Sequence, residues 1–262
     1  IPGVIVNVQR GGPGLGTIQP SQGDYFQATR GGGNGDYKVI VLAPDSVQEM
    51  ADFMDLAFEL AFRYRNPVMI LSDGVIGQMM EKVVLPPQKP RLSDEEVMRK
   101  YPWASFGRVG GRKPNIITSL ELKPEVMEER NIHLQKKYQE CKEKETRCET
   151  IMMDDAEYAV VAFGSMARIA EKAVELAREN GIKAGLFRPI TLWPFPDKQI
   201  ADLCNHCKGI LVAEMNAGQM IDDVRLAVNG RVPVKHYGRQ GGIVPDPSEI
   251  EEELNKLRNY AK

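Results

Sequence analysis

The sequence predicts an α/β protein that contains a doubly wound parallel sheet. Short apolar strands alternate with amphipathic helices from residue 4 to residue 71 and again from residue 158 to residue 260. Several strands, such as PVMIL at 67–71, are apolar throughout, which is typical of parallel strands that are covered on both faces. The 262 residues, 42% of them apolar, suffice for one large domain or two ordinary ones.

The first α/β segment begins with the strand VIVNV at 4–8. A glycine-rich stretch from Arg10 to Asp36 then precedes a second strand at 38–42. Asp45 or Ser46 is the predicted N-cap of a helix over 47–64, in which apolar residues recur at helical spacing. A third strand at 67–71 follows this helix, so the order is strand, loop, strand, helix, strand.

The composition changes between the two α/β segments. Prolines cluster from residue 86 onwards, and a strongly charged helical pattern covers 123–149, which we interpret as a solvated connecting helix. The predicted organisation is a first domain at 1–86, a proline-rich and charged helical linker at 87–155, and a second α/β domain at 156–262.

The second domain is predicted element by element from the same alternation. Gly164-Ser165 is interpreted as a tight turn between a strand and a helix, with an anion site at the helix N-terminus as the alternative. Gly181 is expected to end that helix in a left-handed conformation. The remaining elements are strands at 158–163, 183–187, 209–213 and 232–236, a turn at 188–196, and helices at 197–204, 218–228 and 247–260.

Charge and hydrophobicity argue against two classes of function, nucleic-acid binding and membrane association. A net charge of −2 and a pI near 6.1 argue against nucleic-acid binding. The sequence has no apolar run long enough for a membrane helix and no secretion signal, so we expect no membrane association and a cytoplasmic location. Because residue 1 lies inside an apolar strand, we also expect that an N-terminal part of the protein is missing.

Cysteines give a further constraint. Cys204 and Cys207 have C-x-x-C spacing but follow a predicted helix and lack a second matching pair, so we interpret them as reduced and structural, with a metal or redox site as the alternative. The sequence has no iron–sulfur cysteine motif, so we expect no cluster and no other metal bound by this chain.

The glycine-rich stretch is the predicted binding loop. It follows a buried strand, and open α/β sheets bind ligands at the carboxyl ends of their strands. Arg10 can pair with a carboxylate through two hydrogen bonds, and the glycines allow the backbone to approach a ligand closely. The loop has neither a P-loop lysine nor the Rossmann glycine spacing. Asp24 and Asp36 are interpreted as turn formers, with ligand contact as the alternative.

Three stretches resemble one enzyme family: VIVNVQRGGPGLGTIQPSQGDYFQATRGGGNGDYKVIVLAP, RNPVMILSDGVIGQMM and GIKAGLFRPITLWPFP. They resemble the thiamine-diphosphate-dependent 2-oxoacid:ferredoxin oxidoreductases, and more narrowly the pyrimidine-binding subunit of the 2-oxoisovalerate (branched-chain) type. The resemblance implies part of a pyrimidine-binding domain, followed by a doubly wound transketolase C-terminal-like domain. It also implies that the glutamate that activates the cofactor lies upstream, so we expect no catalytic residue in this sequence.

The resemblance implies a heteromeric enzyme that oxidatively decarboxylates a 2-oxoacid to acyl-CoA and passes electrons to ferredoxin. Thiamine diphosphate and magnesium would be shared with a partner subunit, coenzyme A would be a co-substrate, and iron–sulfur clusters would lie only in partner subunits. The expected assembly is a dimer of heteromers. Two alternatives stay open: a non-catalytic assembly module of such a complex, and a non-redox transketolase-like subunit.

The resemblance also implies site residues. Arg10 matches the arginine that pairs with the 2-oxoacid carboxylate. The other expected substrate contacts are Gly12, Thr17 and Gln19, and the expected cofactor contacts are Gly11, Gly14 and Asp73. Subunits that act on 2-oxoglutarate show the pattern R-x-G-P-S-T-G-x-P-T, in which Gly14 and Leu15 here replace Ser and Thr. This loss of hydroxyls favours an aliphatic 2-oxoacid over a diacid. The proline-bounded segment 188–194 is expected to pack against another subunit.

Overall fold

The computed structural model describes residues 2–108 and 111–260. The chain divides into two compact units, one formed by Ile1–Val84 with Lys136–Lys262 and the other by Leu85–Gln135. Strands and helices alternate along the first unit, so the predicted α/β class is confirmed.

The elements follow the chain in this order. The first α/β segment contains β1 (Gly3–Gln9), α1 (Tyr25–Arg30), β2 (Ile40–Leu42), α2 (Val47–Tyr64) and β3 (Pro67–Asp73). The middle of the chain contains α3 (Asp94–Lys100) and α4 (Pro124–Lys144). The remaining elements are β4 (Cys148–Ile151), β5 (Tyr158–Val161), α5 (Gly164–Glu179), β6 (Ala184–Pro189), β7 (Thr191–Trp193), α6 (Asp197–Leu203), β8 (Gly209–Glu214), α7 (Met220–Val228), β9 (Val234–Gly238) and α8 (Pro247–Tyr260).

Strands of the first unit form two sheets within the described residues. The first sheet has the order β1-β3-β2-β7, in which β1, β3 and β2 are parallel and β7 is antiparallel to β2. The second has the order β4-β6-β5-β8-β9, in which β4 is antiparallel and the other pairs are parallel. Since β6 and β7 are consecutive along the chain but belong to different sheets, they connect the two layers.

Two helix ends agree closely with the sequence expectations. The Ser46 hydroxyl accepts a hydrogen bond from the Glu49 backbone N–H at 3.2 Å and caps α2, so the predicted span of this helix is confirmed. Gly181 has a φ of +74°, the left-handed conformation predicted after α5.

The expected turn at 188–196 is wrong. Residues up to Pro189 continue β6, and Thr191–Trp193 form β7 at the edge of the first sheet. Leu192 and Arg188 are almost completely buried inside this chain. The segment is therefore largely buried within this chain, and its expected packing against another subunit stays a prediction.

The charged stretch at 123–149 is only partly the solvated helix that its composition predicts. Its helix, α4, ends at Lys144, and a strand, β4, begins at Cys148. In the last turns of α4, Tyr138 is buried, and its ring meets the Trp193 ring edge-on with 5.5 Å between centroids. Sparse apolar residues at the right spacing thus anchor a helix that is charged on most of its surface.

Two of the four cysteines, Cys141 and Cys207, are buried. All four cysteines are free, and burial raises the pKa of the Cys207 thiol to about 11, so this thiol is protonated at neutral pH. In residues 2–108 and 111–260, no group of three or more His, Cys, Asp or Glu side chains could hold a metal ion. Within the same residues, every helix is too short or too polar to cross a membrane.

Candidate functional site

A cleft of about 460 Å³ lies in the first unit. Its walls come from three segments: residues 10–24 after β1, residues 216–219 after β8, and residues 240–241 after β9. Each segment follows the carboxyl end of a strand, where open α/β sheets bind ligands, and the volume is typical of a small-molecule site. The lining residues are Arg10, Gly12, Pro13, Ser21, Gly23, Asp24, Asn216, Ala217, Gln219, Gln240 and Gly241.

Arg10 supplies the positive charge of the cleft. Its guanidinium donates to the backbone oxygens of Leu15 and, at 3.1 Å, of Thr17. Both acceptors are neutral, and no ion pair neutralises Arg10 among the residues that the structure describes. The side chain is exposed, so its remaining N–H groups can bind a ligand carboxylate.

The loop that carries Arg10, residues 10–19, folds back on itself. The Gly11 N–H donates to the Gln19 oxygen and the Thr17 N–H donates to the Gly11 oxygen, both at 2.8 Å. Gly16 has a φ of +56°, and a Cβ there would lie 1.9 Å from the Gly11 oxygen. A side chain at Gly16 is therefore incompatible with the closed form of this loop.

Substitution of Gly16 by alanine is expected to destabilise the protein by about 2–3 kcal/mol, because both the left-handed backbone and the clash oppose it. Gly14 provides the matched variant: its φ is +69°, but no heavy atom lies within 4 Å of an added Cβ. Gly14→Ala should cost only about 1 kcal/mol of backbone strain. Denaturant unfolding of both variants measures the difference in the free energy of unfolding. Equal losses of stability would show that the clash between a Cβ at position 16 and the Gly11 oxygen is unimportant.

A second segment, residues 21–26, connects the cleft walls; we call it the strap. Gln22 donates through Nε2 to the Phe163 oxygen at 2.7 Å, and its Oε1 accepts from the Met215 N–H at 3.1 Å. Gln219 donates to the Gly23 oxygen at 2.7 Å and accepts from the Phe26 N–H at 2.8 Å. The strap thus holds the segments after β1 and β8 at a fixed spacing.

Asp24 lies where the strap enters α1. Its Oδ2 accepts from Asn7 Nδ2 at 3.0 Å, and its N–H donates to Gln9 Oε1 at 2.9 Å. Asp24 also lines the cleft, so the turn role and a ligand-facing position are combined in one residue.

Asp73 is enclosed between the two sheets. Its Oδ2 accepts from the Ser165 hydroxyl at 2.7 Å and from the Ser165 N–H at 3.3 Å, and its Oδ1 accepts from the N–H groups of Val75 and Ile76. Burial raises the pKa of Asp73, and these hydrogen bonds oppose the shift. The N-terminus of α5 does hold an anion, but this anion is the carboxylate of Asp73 itself.

The expected site residues therefore fall into four groups. Arg10 and Gly12 line the cleft. Thr17, Gln19 and Gly11 shape the loop around Arg10: Thr17 Oγ1 accepts from the Gln19 N–H at 3.1 Å. Gly14 is exposed on the loop, whereas Asp73 caps helices within the core, a placement that lends no support to a cofactor contact.

Sequence reasoning missed the opposite wall of the cleft. Asn216, Gln219 and Gln240 are polar residues that come shortly after predicted apolar strands, at the sheet edge where ligands bind. The same rule that selected Arg10 could have selected them.

Two protein-family models match the chain. Residues 1–152 match the model described as pyruvate flavodoxin/ferredoxin oxidoreductase, thiamine diphosphate-binding. Residues 156–250 match the model described as pyruvate:ferredoxin oxidoreductase core domain II. The chain belongs to the 2-oxoacid:ferredoxin oxidoreductase family, and the resemblance inferred from its motifs is confirmed.

Two relatives show which members of this family the chain is similar to. The chain is 45% identical over 263 residues to ketoisovalerate oxidoreductase subunit VorB of Methanothermobacter thermautotrophicus, an alignment that covers all of this chain and 71% of the relative. It is 36% identical to 2-oxoglutarate synthase subunit KorA of Methanothermobacter marburgensis, which covers 98% of this chain and 73% of the relative. Both relatives are named as subunits.

A solved structure has the same fold. The 2-oxoglutarate:ferredoxin oxidoreductase from Magnetococcus marinus, solved with 2-oxoglutarate, coenzyme A and succinyl-CoA bound, superposes with a TM-score of 0.77 at 22% identity. The match covers 98% of this chain and 48% of that chain. At this identity the likeness shows the fold alone.

Proposed function

We propose that this chain is the subunit of a thiamine-diphosphate enzyme that oxidatively decarboxylates 2-oxoisovalerate to an acyl-CoA and passes the electrons to ferredoxin. The observation that carries the proposal is the cleft beside Arg10, whose guanidinium has no ion-pair partner in the described chain. The 45% identity to a ketoisovalerate oxidoreductase subunit supports the same substrate class.

The charges in the cleft favour a monocarboxylate. Among the described lining residues Arg10 is the only cation and Asp24 the only carboxylate, while the other polar side chains there are neutral. One guanidinium can bind the carboxylate of a 2-oxoacid through two hydrogen bonds. A second carboxylate, as in 2-oxoglutarate, would lose water without gaining a counter-charge.

Thiamine diphosphate does not find a complete holder in this chain alone. Asp73 is enclosed with both oxygens hydrogen-bonded to protein, and a side chain at Gly11 would come within 2.9 Å of Gly241, which leaves no space for a ligand there. Gly14 alone of the three expected cofactor contacts faces open space. In this proposal the partner subunit supplies most of the contacts to the cofactor and its magnesium, and this chain binds and orients the 2-oxoacid.

The proposal extends to the assembly. Coenzyme A is the co-substrate that accepts the acyl group. Iron–sulfur clusters in partner subunits carry electrons to ferredoxin, and the complex is a cytoplasmic dimer of heteromers. The names of the relatives, which designate single subunits, support a heteromeric enzyme.

Substrate preference tests this proposal. In the co-expressed complex, kcat/KM from viologen-dye reduction with coenzyme A should be highest for 2-oxoisovalerate. Each methylene removed towards pyruvate should cost about 1–3 kcal/mol of transition-state binding free energy and lower kcat/KM accordingly. 2-Oxoglutarate should be poorer by at least about 100-fold, because its second carboxylate stays unpaired. Equal turnover of 2-oxoglutarate would refute the assigned substrate, and absence of dye reduction with every 2-oxoacid would refute the redox reaction.

A further inference from the structure

Glu214 is a fully buried carboxylate that is hydrogen-bonded to two residues of the cleft wall, Asn216 and Gln219. It ends β8, which lies between β5 and β9 in the second sheet. Its oxygens accept from the Met220 N–H at 2.7 Å, the Ile221 N–H at 3.1 Å and the Gln219 N–H at 3.2 Å. Glu214 therefore binds three consecutive backbone N–H groups at the start of α7, where the helix dipole also favours negative charge.

A buried carboxylate is costly unless donors surround it, so its position demands an explanation. The ion-pair partner that faces it within the described residues is His236, whose Nε2 lies 3.6 Å from Glu214 Oε1. Burial lowers the pKa of His236, and the nearby Glu214 opposes that shift. Backbone N–H groups, rather than a permanent cation, thus stabilise the carboxylate.

Glu214 also reaches both walls of the cleft through its neighbours. Asn216 Nδ2 donates to Glu214 Oε2 at 3.0 Å and to the Gln22 oxygen of the strap at 2.8 Å. Gln219, whose backbone N–H binds Glu214, holds Gly23 and Phe26 of the strap through its side chain. A single carboxylate therefore fixes the 216–219 wall and, through it, the strap that lines the wall opposite.

We propose that Glu214 is a positioning residue that sets the spacing between the Arg10 wall and the 216–219 wall, and thereby the affinity of the cleft for the 2-oxoacid. This inference rests on the proposed function, since it assigns the cleft to the 2-oxoacid. Glu214 itself does not touch the substrate. It acts through Asn216 and Gln219, which line the cleft.

Glu214→Gln in the co-expressed complex tests the inference. The amide keeps the size of the side chain but turns an NH₂ group towards backbone N–H donors, so it cannot accept all of the bonds. The KM for 2-oxoisovalerate should rise between about tenfold and 100-fold, because small misplacements of binding groups have effects of this size. The KM for coenzyme A and the kcat should change by less than about threefold, within the scatter of such measurements.

Hydrogen exchange provides a readout independent of activity. In Glu214→Gln, the amides of 219–221 and of the strap should lose protection together. The control is Glu252→Gln, which removes a carboxylate that is 68% exposed on α8 and pairs with Lys256; it should change neither exchange nor kinetics. The inference would be overturned if the KM for 2-oxoisovalerate were unchanged. It would also be overturned if, in a folded complex, the KM values for 2-oxoisovalerate and coenzyme A rose by the same factor.

A second variant covers the case in which Glu214→Gln fails to fold. Asn216→Ala removes the bridge between Glu214 and Gln22 but leaves the start of α7 capped, and it should raise the same KM; no rise would overturn the inference. Failure of the proposed function looks different. The wild-type complex would then turn over no branched 2-oxoacid, while the exchange experiment would still show whether Glu214 holds the two walls together.

Discussion

Arg10→Ala should lower kcat/KM for 2-oxoisovalerate, because it should cost about 2–5 kcal/mol of transition-state stabilisation. This is the range measured when one partner of a hydrogen-bonded charge pair is removed. This free energy corresponds to a loss between about 30-fold and 4,000-fold. The effect is large because Arg10 is the only cation among the described lining residues, so no neighbour replaces its charge. Initial rates of dye reduction over a range of 2-oxoacid concentrations measure the loss.

Arg10 has a second role that this experiment must separate from binding, since its guanidinium also holds the carbonyls of Leu15 and Thr17. Arg10→Lys keeps the charge but loses the two-pronged geometry, so its kcat/KM should fall between those of the wild type and Arg10→Ala. Arg168→Ala removes an exposed arginine that pairs with Glu81 and should leave turnover unchanged. If kcat/KM of Arg10→Ala were unchanged at limiting substrate, Arg10 would not bind the carboxylate of the 2-oxoacid.

The sequence alone could identify the Arg10 side of the cleft because all of its signals are local. An apolar strand, a following arginine and a run of glycines lie within a few residues of each other, and the position at the end of the strand follows from the strand itself. The bounds of α2 were predictable for the same reason, since Ser46 and the helical spacing of apolar residues lie next to each other in the chain. The expectation that the strand before Arg10 is buried is wrong, because most residues of β1 are half-buried or exposed in the described chain.

The opposite wall depends on contacts that are distant in sequence. Gln22 binds Met215 across a separation of 193 residues, and no local pattern around either residue announces this pairing. Glu214 ends the strand GILVAE, so in the sequence it resembles a polar residue at an ordinary strand end. Its burial is decided by the turn that follows, which folds α7 back over the carboxylate.

β7 is a second element that the sequence could not predict, because its pairing partner is also distant in sequence. Thr191–Trp193 is too short, and too rich in neighbouring prolines, for its own pattern to predict a strand. Its partner is β2, which the chain completes long before residue 191 is reached. Only the packing of the first sheet decides that this segment is a strand and not a turn.

Arg188→Met should destabilise the protein by about 3–5 kcal/mol at neutral pH, the usual cost of removing one partner from a buried ion pair. Arg188 has a side chain that is only 3% exposed, and its guanidinium binds Glu49 through two hydrogen bonds of 2.9 and 2.6 Å. Asp45 and Glu149 complete the cluster, and the three carboxylates raise the pKa of Arg188 although burial alone would lower it. Denaturant unfolding near pH 7 measures the loss.

The pH dependence distinguishes a lost charge pair from simple loss of packing. Burial raises the pKa of Glu49, and Arg188 opposes this shift, so in Arg188→Met the pKa of Glu49 should rise further. A carboxyl group whose pKa is raised in the folded state is least destabilising when it is protonated, so the deficit of Arg188→Met should shrink as the pH falls. Glu49→Gln in the same background should recover part of the stability at neutral pH. A deficit that is constant with pH would mean that Arg188 acts through packing, because a cavity does not titrate.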